Sequence, residues 1–279
     1  MYLTGRHLGW LSVTDGVQVN KCFAVWVLLG MLAGCAAPPD QVSGPSTEPP
    51  AQAPPEPLTS GDAWESVVDT LLQTPPGGGQ WQPFVLPGKR FAAFELSERP
   101  DAPYLSVRAD RSVSILRRQF LPAIEAPGHI DFTWKVDALP EEANLAEADR
   151  EDAAVRILLS FDGDRSRWSP KNHRLSEMSR LLTGEELPYA TLMYVWSNHG
   201  EPGSVVVNPR TDRIRKVVVE SGKGRLGQWR TYRRDIRADF VKAFGEEPGT
   251  LRAVALMTDT DNTRSQLRAW YGPLRLATR

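Results

Sequence analysis

The spacing of apolar and polar residues changes once along this chain. Between Asp62 and Leu72 apolar residues recur at intervals of three and four, which predicts an amphipathic helix that ends before the proline- and glycine-rich run 75–79. From about residue 80 onward, apolar and polar residues alternate, and a period of two is typical of half-buried strands. The clearest alternation runs over Ile130–Ala138 and Ala153–Phe161.

The rest of the chain adds further short strands and few helices. Tyr189–Trp196 is apolar on both faces, which indicates a central strand. Other predicted strands are Trp81–Leu86, Arg90–Leu96, Pro103–Ala109, Ser112–Arg118, Ile214–Glu220, Arg252–Thr258 and Gln266–Leu276. Short helices are predicted over Leu175–Leu182 and Asp239–Phe244. This pattern predicts an all-β fold, an antiparallel β-sandwich or jelly roll with a few short helices.

The N-terminal part of the chain has the features of an export signal. The apolar run Cys22–Ala33 is too short to span a bilayer core, and it has the length of a signal-peptide apolar region with Lys21 before it. It leads into Leu32-Ala-Gly-Cys35, a pattern typical of the cleavage and lipidation site of a bacterial lipoprotein. We therefore predict a signal peptide over residues 1–35 and lipidation of Cys35. An ordinary signal peptide with an incidental cysteine is the alternative.

A proline-rich segment follows the predicted lipidation site. Residues 36–60 contain eight prolines, which predicts a disordered tether over residues 36–61 and a single β-sandwich domain over residues 62–279. Several acyl chains on Cys35 would hold the protein stably on a membrane. Ala36, rather than Asp, follows the cysteine and favours the outer membrane, with the domain facing the periplasm.

Composition excludes several classes of function. The formal net charge is −1, so no basic excess favours nucleic acid as a partner. Both cysteines precede the tether, so no disulfide is expected in the domain. The histidines in the domain, His129, His173 and His199, lack the spacing of a zinc site. We expect no cofactor, with Ca²⁺ as the one alternative.

One glycine-rich segment follows a predicted strand. Gly222–Gly227 fits the G-x-G-x-x-G pattern of dinucleotide-binding folds. The preceding strand carries basic residues, however, and Asp259 lies 32 residues beyond Gly227, whereas the ribose-binding acid of that fold lies about 20 residues on. We interpret the segment as a flexible hairpin.

Several motifs resemble those of a known family. They are Phe132–Val136, Glu151–Arg156, Leu181–Trp196 and Met257–Thr263. Together they resemble domain-of-unknown-function family 3047, a bacterial family of uncharacterised exported proteins, over roughly residues 80–276. The resemblance implies a single all-β domain of sandwich type. It implies no activity and no catalytic residue.

Aromatic and acidic residues supply the candidate sites. Sugars stack on flat aromatic faces beside planar polar groups, so the candidate ligand-binding residues are Arg156, Tyr194, Trp196, Asn198 and Trp229. Placement of these aromatic residues in the core is the alternative, and Trp134 is assigned there because it lies on the apolar face of its strand. Asp259, Asp261 and Asn262 offer oxygens that suit Ca²⁺, although the same residues also form turns.

Three functions remain open at this point. The first is a non-catalytic envelope lipoprotein whose β-sandwich binds a glycan or another envelope component. The second is a jelly-roll glycoside hydrolase or polysaccharide lyase, which would need two carboxylates facing one groove. The third is a structural or assembly partner of another envelope protein.

Overall fold

Two β-sheets packed face to face make up most of the molecule. The computed structural model describes residues 67–75, 78–97 and 102–279. Sheet I contains β1 (Leu72–Gln73), β3 (Phe94–Leu96), β4 (Leu105–Asp110), β6 (Pro127–Val136), β11 (Arg230–Asp235) and β13 (Gln266–Thr278). Sheet II contains β2 (Gln82–Pro83), β5 (Val113–Ile124), β7 (Ala153–Phe161), β8 (Ala190–Ser197), β9 (Val205–Val207), β10 (Ile214–Ser221) and β12 (Leu251–Asp259).

The strand order confirms the predicted fold class, a β-sandwich of jelly-roll type with a few short helices. Sheet I has the order β11-β6-β13-β4-β3, with β1 beside β13, and sheet II has the order β2-β5-β12-β7-β8-β10-β9. Pairing is antiparallel except between β1 and β13 and between β8 and β10, which are parallel. β8 and β10 are parallel because the chain between them contributes β9, which pairs with the far side of β10.

The main core lies between the two sheets. Its largest fully buried side chains include Phe132 and Trp134 from sheet I and Tyr194 and Trp196 from sheet II. The rings of Phe132 and Tyr194 stack across the interface with centroids 5.6 Å apart. Aromatic pairs at this separation add to the stability that burial of their apolar surface provides.

A second apolar cluster covers the other face of sheet II. Met193 and Val195 of β8 and Leu158 of β7 pack there against Leu86 and Leu145, which come from the connecting segments. All nine residues of β7 and all eight of β8 are therefore buried, which explains why Tyr189–Trp196 is apolar on both faces. In sheet I, β6 and β11 instead alternate between more and less buried residues, so the outer face of this sheet meets solvent.

Among the described residues, two α-helices and the short 3-10 helix Arg165–Arg167 join strands, and each α-helix has a clear boundary. Helix α1 (Pro170–Thr183) is capped by Ser169 and ends at Gly184, which adopts a φ of 78°. Helix α2 (Ile236–Phe244) is capped by Asp235 and buries Ile236 and Phe240. α1 begins five residues before the predicted start, because its first turn is polar and carries no apolar period.

The predictions for the segments before β4 are only partly met. Residues 67–71 are helical, as expected, while Leu72 already belongs to β1. The predicted strands Trp81–Leu86 and Arg90–Leu96 shorten to β2 and β3, and the turn at Pro87-Gly88 lies between them. The predicted signal peptide and tether lie outside the described residues. No helix in the described part of the chain combines the length and the apolar character needed to cross a bilayer.

The glycine motif is neither a dinucleotide-binding turn nor a hairpin. Residues 222–229 connect β10 in sheet II to β11 in sheet I, and these two strands do not pair. The hairpin interpretation is therefore wrong. The rejection of the dinucleotide motif is supported, because the segment leads into a strand and not into a helix.

Trp196 gives a test of this core. Its ring is fully buried and its indole N–H donates to the carbonyl of Gly222 at 3.0 Å. We expect Trp196→Ala to lower the free energy of unfolding by about 3–5 kcal/mol, because it leaves a large cavity. Trp196→Phe should cost clearly less. Urea denaturation of the purified proteins measures both, and an unchanged midpoint for Trp196→Ala would contradict the buried position.

Candidate functional site

The outer face of sheet I carries a group of exposed and half-buried aromatic side chains. We call it the aromatic platform, and it comprises Tyr104, Lys135, Trp229, Arg268 and Trp270. Strand register places three of these residues side by side, because Lys135 of β6 lies directly opposite Trp270 of β13. Arg268, two residues earlier on β13, lies on the same face.

Trp229 rests on a seat formed by the backbone of β13. A Cβ atom added at Gly272 would lie 3.2 Å from the Trp229 ring and 3.3 Å from the side chain of Thr133. The strand is irregular at this point, since β13 shifts its register against β6 between Tyr271 and Leu274. Glycine therefore leaves the room that the indole occupies, and the Trp229 side chain stays 41% exposed.

Cations connect the aromatic rings of the platform. The Lys135 Nζ lies 4.1 Å from the centroid of Trp270 and 5.2 Å from that of Trp229. Arg268 places its guanidinium carbon 5.1 Å from the Trp270 centroid, and Tyr104 lies 5.8 Å from Trp229. Such contacts orient rings and cations at modest energy. The result is a surface of aromatic faces beside hydrogen-bond donors.

Most of the aromatic residues predicted to bind a ligand lie elsewhere. Tyr194 and Trp196 are fully buried between the sheets, so their assignment as ligand-binding residues is corrected to core. Asn198 donates its side-chain amide to the carbonyl of Pro140 at 2.7 Å. Arg156 is 3% exposed and donates to the carbonyl of Glu151. Of the predicted set, Trp229 alone reaches the platform.

Trp270, Lys135 and Arg268 were not predicted as site residues, although the alternation of apolar and polar residues indicated their position. Within the predicted strand Gln266–Leu276, Trp270 alternates with apolar positions and so shares the polar face with Arg268. Lys135 lies on the polar face of its own alternating strand. A tryptophan on the polar face of a strand is the feature that marks the platform, and the same alternation correctly placed Trp134 in the core.

A second group of polar residues lies at one end of β7 and β12. We call it the buried charge cluster, and it comprises Glu151, Asp152, Arg156, Lys216, Asp259 and Asp261. Glu151 accepts from Asn208 at 2.6 Å, and its carboxylate lies 2.7 Å from Lys216 and 3.1 Å from Arg210. Buried charges are tolerated when they are paired in this way.

Asp152 fixes the connection between β12 and β13. Its carboxylate accepts from the backbone N–H groups of Asn262 and Thr263, at 3.4 and 2.7 Å, and from the Thr263 hydroxyl at 2.6 Å. Glu151 and Asp152 are adjacent, yet they bond to different parts of the chain. The two residues therefore have separate structural roles.

Three carboxylates of the cluster could hold a cation. Ligand oxygens of Asp152, Asp259 and Asp261 lie within 4.8 Å of one another. Burial, and then the neighbouring Asp152, raise the pKa of the Asp259 carboxyl well above its ordinary value. Arg156 and Lys89 already pair with Asp259 and Asp261 and compensate part of the charge. Sequence analysis did not predict Asp152 as a ligand, and the predicted ligand Asn262 instead donates its backbone N–H to Asp152. Calcium binding by Asp259 and Asp261 stays a prediction.

A groove at the other end of β7 is the third feature. It has a volume of about 300 Å³, and its lining includes Ser160, Asp162, Arg165, Glu186 and Arg252. Asp162 is bonded to Arg252 at 3.0 Å, and Glu186 is bonded to Arg165. Two carboxylates therefore border one groove, and each is held by a guanidinium.

A family model now identifies the chain. The family described as "Protein of unknown function (DUF3047)" matches residues 79–275. The chain belongs to DUF3047. No curated protein matches it.

Solved structures with a similar arrangement of strands include the xyloglucanase domain of NopAA, a type three effector from Sinorhizobium fredii. That domain is 9% identical with a TM-score of 0.34, and the match covers 74% of this chain and 91% of that one. The family 11 xylanase from Neocallimastix patriciarum is 9% identical with a TM-score of 0.36, over 74% and 94% of the two chains. A family 29 carbohydrate-binding module complexed with cellulohexaose is 10% identical with a TM-score of 0.30, over 74% and 85%.

Two of the motifs by which the sequence resembles DUF3047 meet in the buried charge cluster. Glu151–Arg156 and Met257–Thr263 lie far apart along the chain, and the Asp152 and Arg156 contacts join them. The motif Phe132–Val136 lies instead on β6, where it supplies both the inter-sheet core and Lys135 of the platform. The motif residues of this DUF3047 chain thus serve both its stability and its exposed surface.

The buried Lys216 gives a pH-dependent test of the cluster. Burial lowers the pKa of Lys216 from 10.5 to about 8, and the Glu151 carboxylate opposes this shift. Between those two pH values the unfolded chain binds more protons at this lysine than the folded protein does, so this group makes the protein more stable as pH rises. The slope is at most about 1.4 kcal/mol per pH unit.

We therefore compare wild type with Lys216→Met by urea denaturation from pH 7 to pH 10. The stability of wild type relative to the variant should increase above about pH 8. Lys223→Met, at an exposed lysine, serves as the control and should leave the pH profile unchanged. A difference between wild type and Lys216→Met that stays constant with pH would contradict the shifted pKa.

Proposed function

We propose that this protein is a lipid-anchored protein of the bacterial envelope whose β-sandwich binds glycans, without catalysis, on the aromatic platform of sheet I. The observation that carries the proposal is the seat of Trp229. A tryptophan is held against the sheet by Gly272 and kept 41% exposed, beside a second indole and two cations.

The chemistry of the platform suits a sugar. Aromatic faces pack against the apolar C–H faces of pyranose rings, while neighbouring side chains form hydrogen bonds to hydroxyl groups. Lys135, Arg268 and Gln266 supply donors on the same face. The strands place these groups on a rigid scaffold, so little order has to be gained when a ligand binds.

The composition of this face favours a glycan over a protein partner. Docking surfaces for proteins are marked by contiguous exposed apolar patches. Among the described residues of the outer face of sheet I, Trp229 is the large apolar side chain that is more than one-third exposed. Apart from Pro273, the remaining exposed positions described on its strands are charged or polar, for example Arg108, Arg233 and Arg275. The assembly-partner hypothesis finds less support here.

The enzyme hypothesis concerns the groove at the end of β7. A glycoside hydrolase uses one carboxyl group as an acid and a second as a base or nucleophile. Asp162 and Glu186 border the groove, but each carboxylate is already bonded to an arginine. This arrangement supports catalysis less than the platform supports binding.

The proposed anchor rests on the sequence before the described residues. Leu32-Ala-Gly-Cys35 follows an apolar run, and the proline-rich residues 36–60 separate it from the sandwich. Lipidation of Cys35 would keep the platform within reach of a membrane surface and of the glycans that surround it.

The platform is tested by alanine substitution and glycan binding. We expect wild type to be retained by a subset of glycans on an array, and Trp229→Ala and Trp270→Ala each to weaken that binding at least about tenfold, because each removes a stacking surface. Leu181→Ala, at an 81% exposed leucine of α1, is the matched control and should bind as wild type. Retention of full affinity by Trp229→Ala would refute the platform as the binding site.

The anchor has a separate test. We expect Cys35→Ser to move the protein from the membrane fraction to the aqueous fraction, because the acyl chains provide the membrane affinity. Fractionation followed by immunoblotting measures the distribution, and labelling with a fatty-acid analogue confirms the modification in wild type. A Cys35→Ser protein that stays with the membrane would rule out lipidation as the attachment.

A further inference from the structure

We infer that the aromatic platform selects anionic glycans, those that carry carboxylate or phosphate groups. This inference rests on the proposed function and specifies its ligand class. The observation behind it is a set of three cations on the platform face, Lys135, Arg268 and Arg108, that have no carboxylate partner among the described residues.

Lys135 occupies the centre of the platform. Its ammonium group lies over both indoles, at 4.1 Å from Trp270 and 5.2 Å from Trp229. Among residues 67–75, 78–97 and 102–279, no carboxylate lies within ion-pair distance of it. A cation held between two aromatic faces can reach an acidic group on any sugar that stacks on either ring.

Arg268 adds a second cation with unused donors. One of its terminal nitrogens donates to the Ser106 hydroxyl at 3.2 Å. Its Nε is buried and finds no hydrogen-bond acceptor among the described residues. The other terminal nitrogen of Arg268 donates to no acceptor in the described part of the chain, so its N–H groups are available to an anion.

The register of the sheet brings Arg108 next to Arg268. The two arginines lie directly opposite each other in the antiparallel pair of β4 and β13. Like charges at such positions repel. An anion placed between the two guanidinium groups would remove the repulsion and accept hydrogen bonds from both.

The carboxylates of this face lie around these cations and are mostly engaged. Asp110 is bonded to Arg90 at 2.7 Å and to Arg111 at 3.0 Å. Asp137 accepts from the backbone N–H of Arg268 at 2.7 Å. Glu95, on the edge strand β3, pairs in register with Ser106 and is exposed. Asp110 and Asp137 line one surface depression with Arg108 and Arg268 but are engaged in these other contacts, so they do not pair with the two guanidinium groups.

Matched glycans test the inference on the full-length protein. The first pair is oligogalacturonate and its methyl ester, which share one backbone and differ in charge. The second pair is a phosphorylated oligomannoside and its dephosphorylated form. We expect at least one acidic member to bind about tenfold or more tightly than its neutral partner, with an affinity that falls as salt is added. The pair that shows the preference identifies the anion.

Charge variants assign the preference to the platform. Lys135→Met and Arg108→Met keep apolar length but remove charge, so each should reduce the ratio of acidic to neutral affinity toward one. Arg233→Met is the control, because Arg233 lies on the same face but pairs with Asp131. Circular dichroism confirms that each variant is folded.

The outcomes separate this inference from the proposed function. Equal binding of the acidic and neutral members of both pairs, or no binding of any of the four, would overturn the anionic preference. The glycan array with Trp229→Ala still decides the proposed function in that case. A preference that survives both Lys135→Met and Arg108→Met would also overturn the inference, because the charge would then act elsewhere.

Discussion

The contact between the two sheets is the constraint on which the rest of the structure depends. Phe132 of sheet I stacks on Tyr194 of sheet II, and the Tyr194 hydroxyl donates to Asp239 of α2 at 3.0 Å. Asp239 in turn accepts from Arg234 at the end of β11. One buried aromatic pair thereby joins both sheets and a helix. Burial of Tyr194 also raises the pKa of its hydroxyl well above the ordinary value. Side chains committed to this contact are not available to a ligand.

The two outer faces of the sandwich differ, and this difference locates the proposed function. Sheet II is covered by Leu86, Leu145 and the buried charge cluster, so its central strands β7 and β8 are buried on both faces. Sheet I is covered on its inner face only, and its outer face carries polar side chains with Trp229 and Trp270 among them. A binding surface built from strand side chains has more room on sheet I. The cluster, by contrast, uses its charges to hold β7, β10 and the β12–β13 connection together.

Three tryptophans differ in how far their positions could be predicted from the sequence. Trp134 lies in a strand that alternates, so its inward direction could be predicted. Trp196 lies in a strand that is apolar on both faces, so the sequence pattern does not show to which face its side chain points. Its predicted role in ligand binding was wrong, because the side chain is buried. Trp229 precedes β11 in a connecting segment, and its position depends on Gly272, which is distant along the chain. Asp152 was missed for the same reason, because only the folded chain brings it to Asn262 and Thr263.

The contact between Trp229 and Gly272 restricts which positions of the platform can be substituted. Gly272 and Pro273 together oppose Thr133, which is the geometry of a β-bulge, and the strand passes from there to its pairing with β1. A Cβ atom at position 272 would lie 3.2 Å from the indole and 3.3 Å from the Thr133 side chain, so these two side chains would have to shift by a few tenths of an ångström. The side chains of Arg108, Lys135 and Arg268 have no such role in the backbone of the bulge. Under the proposed function, substitutions at those three positions would change the charge presented to a ligand and leave the aromatic residues of the platform in place.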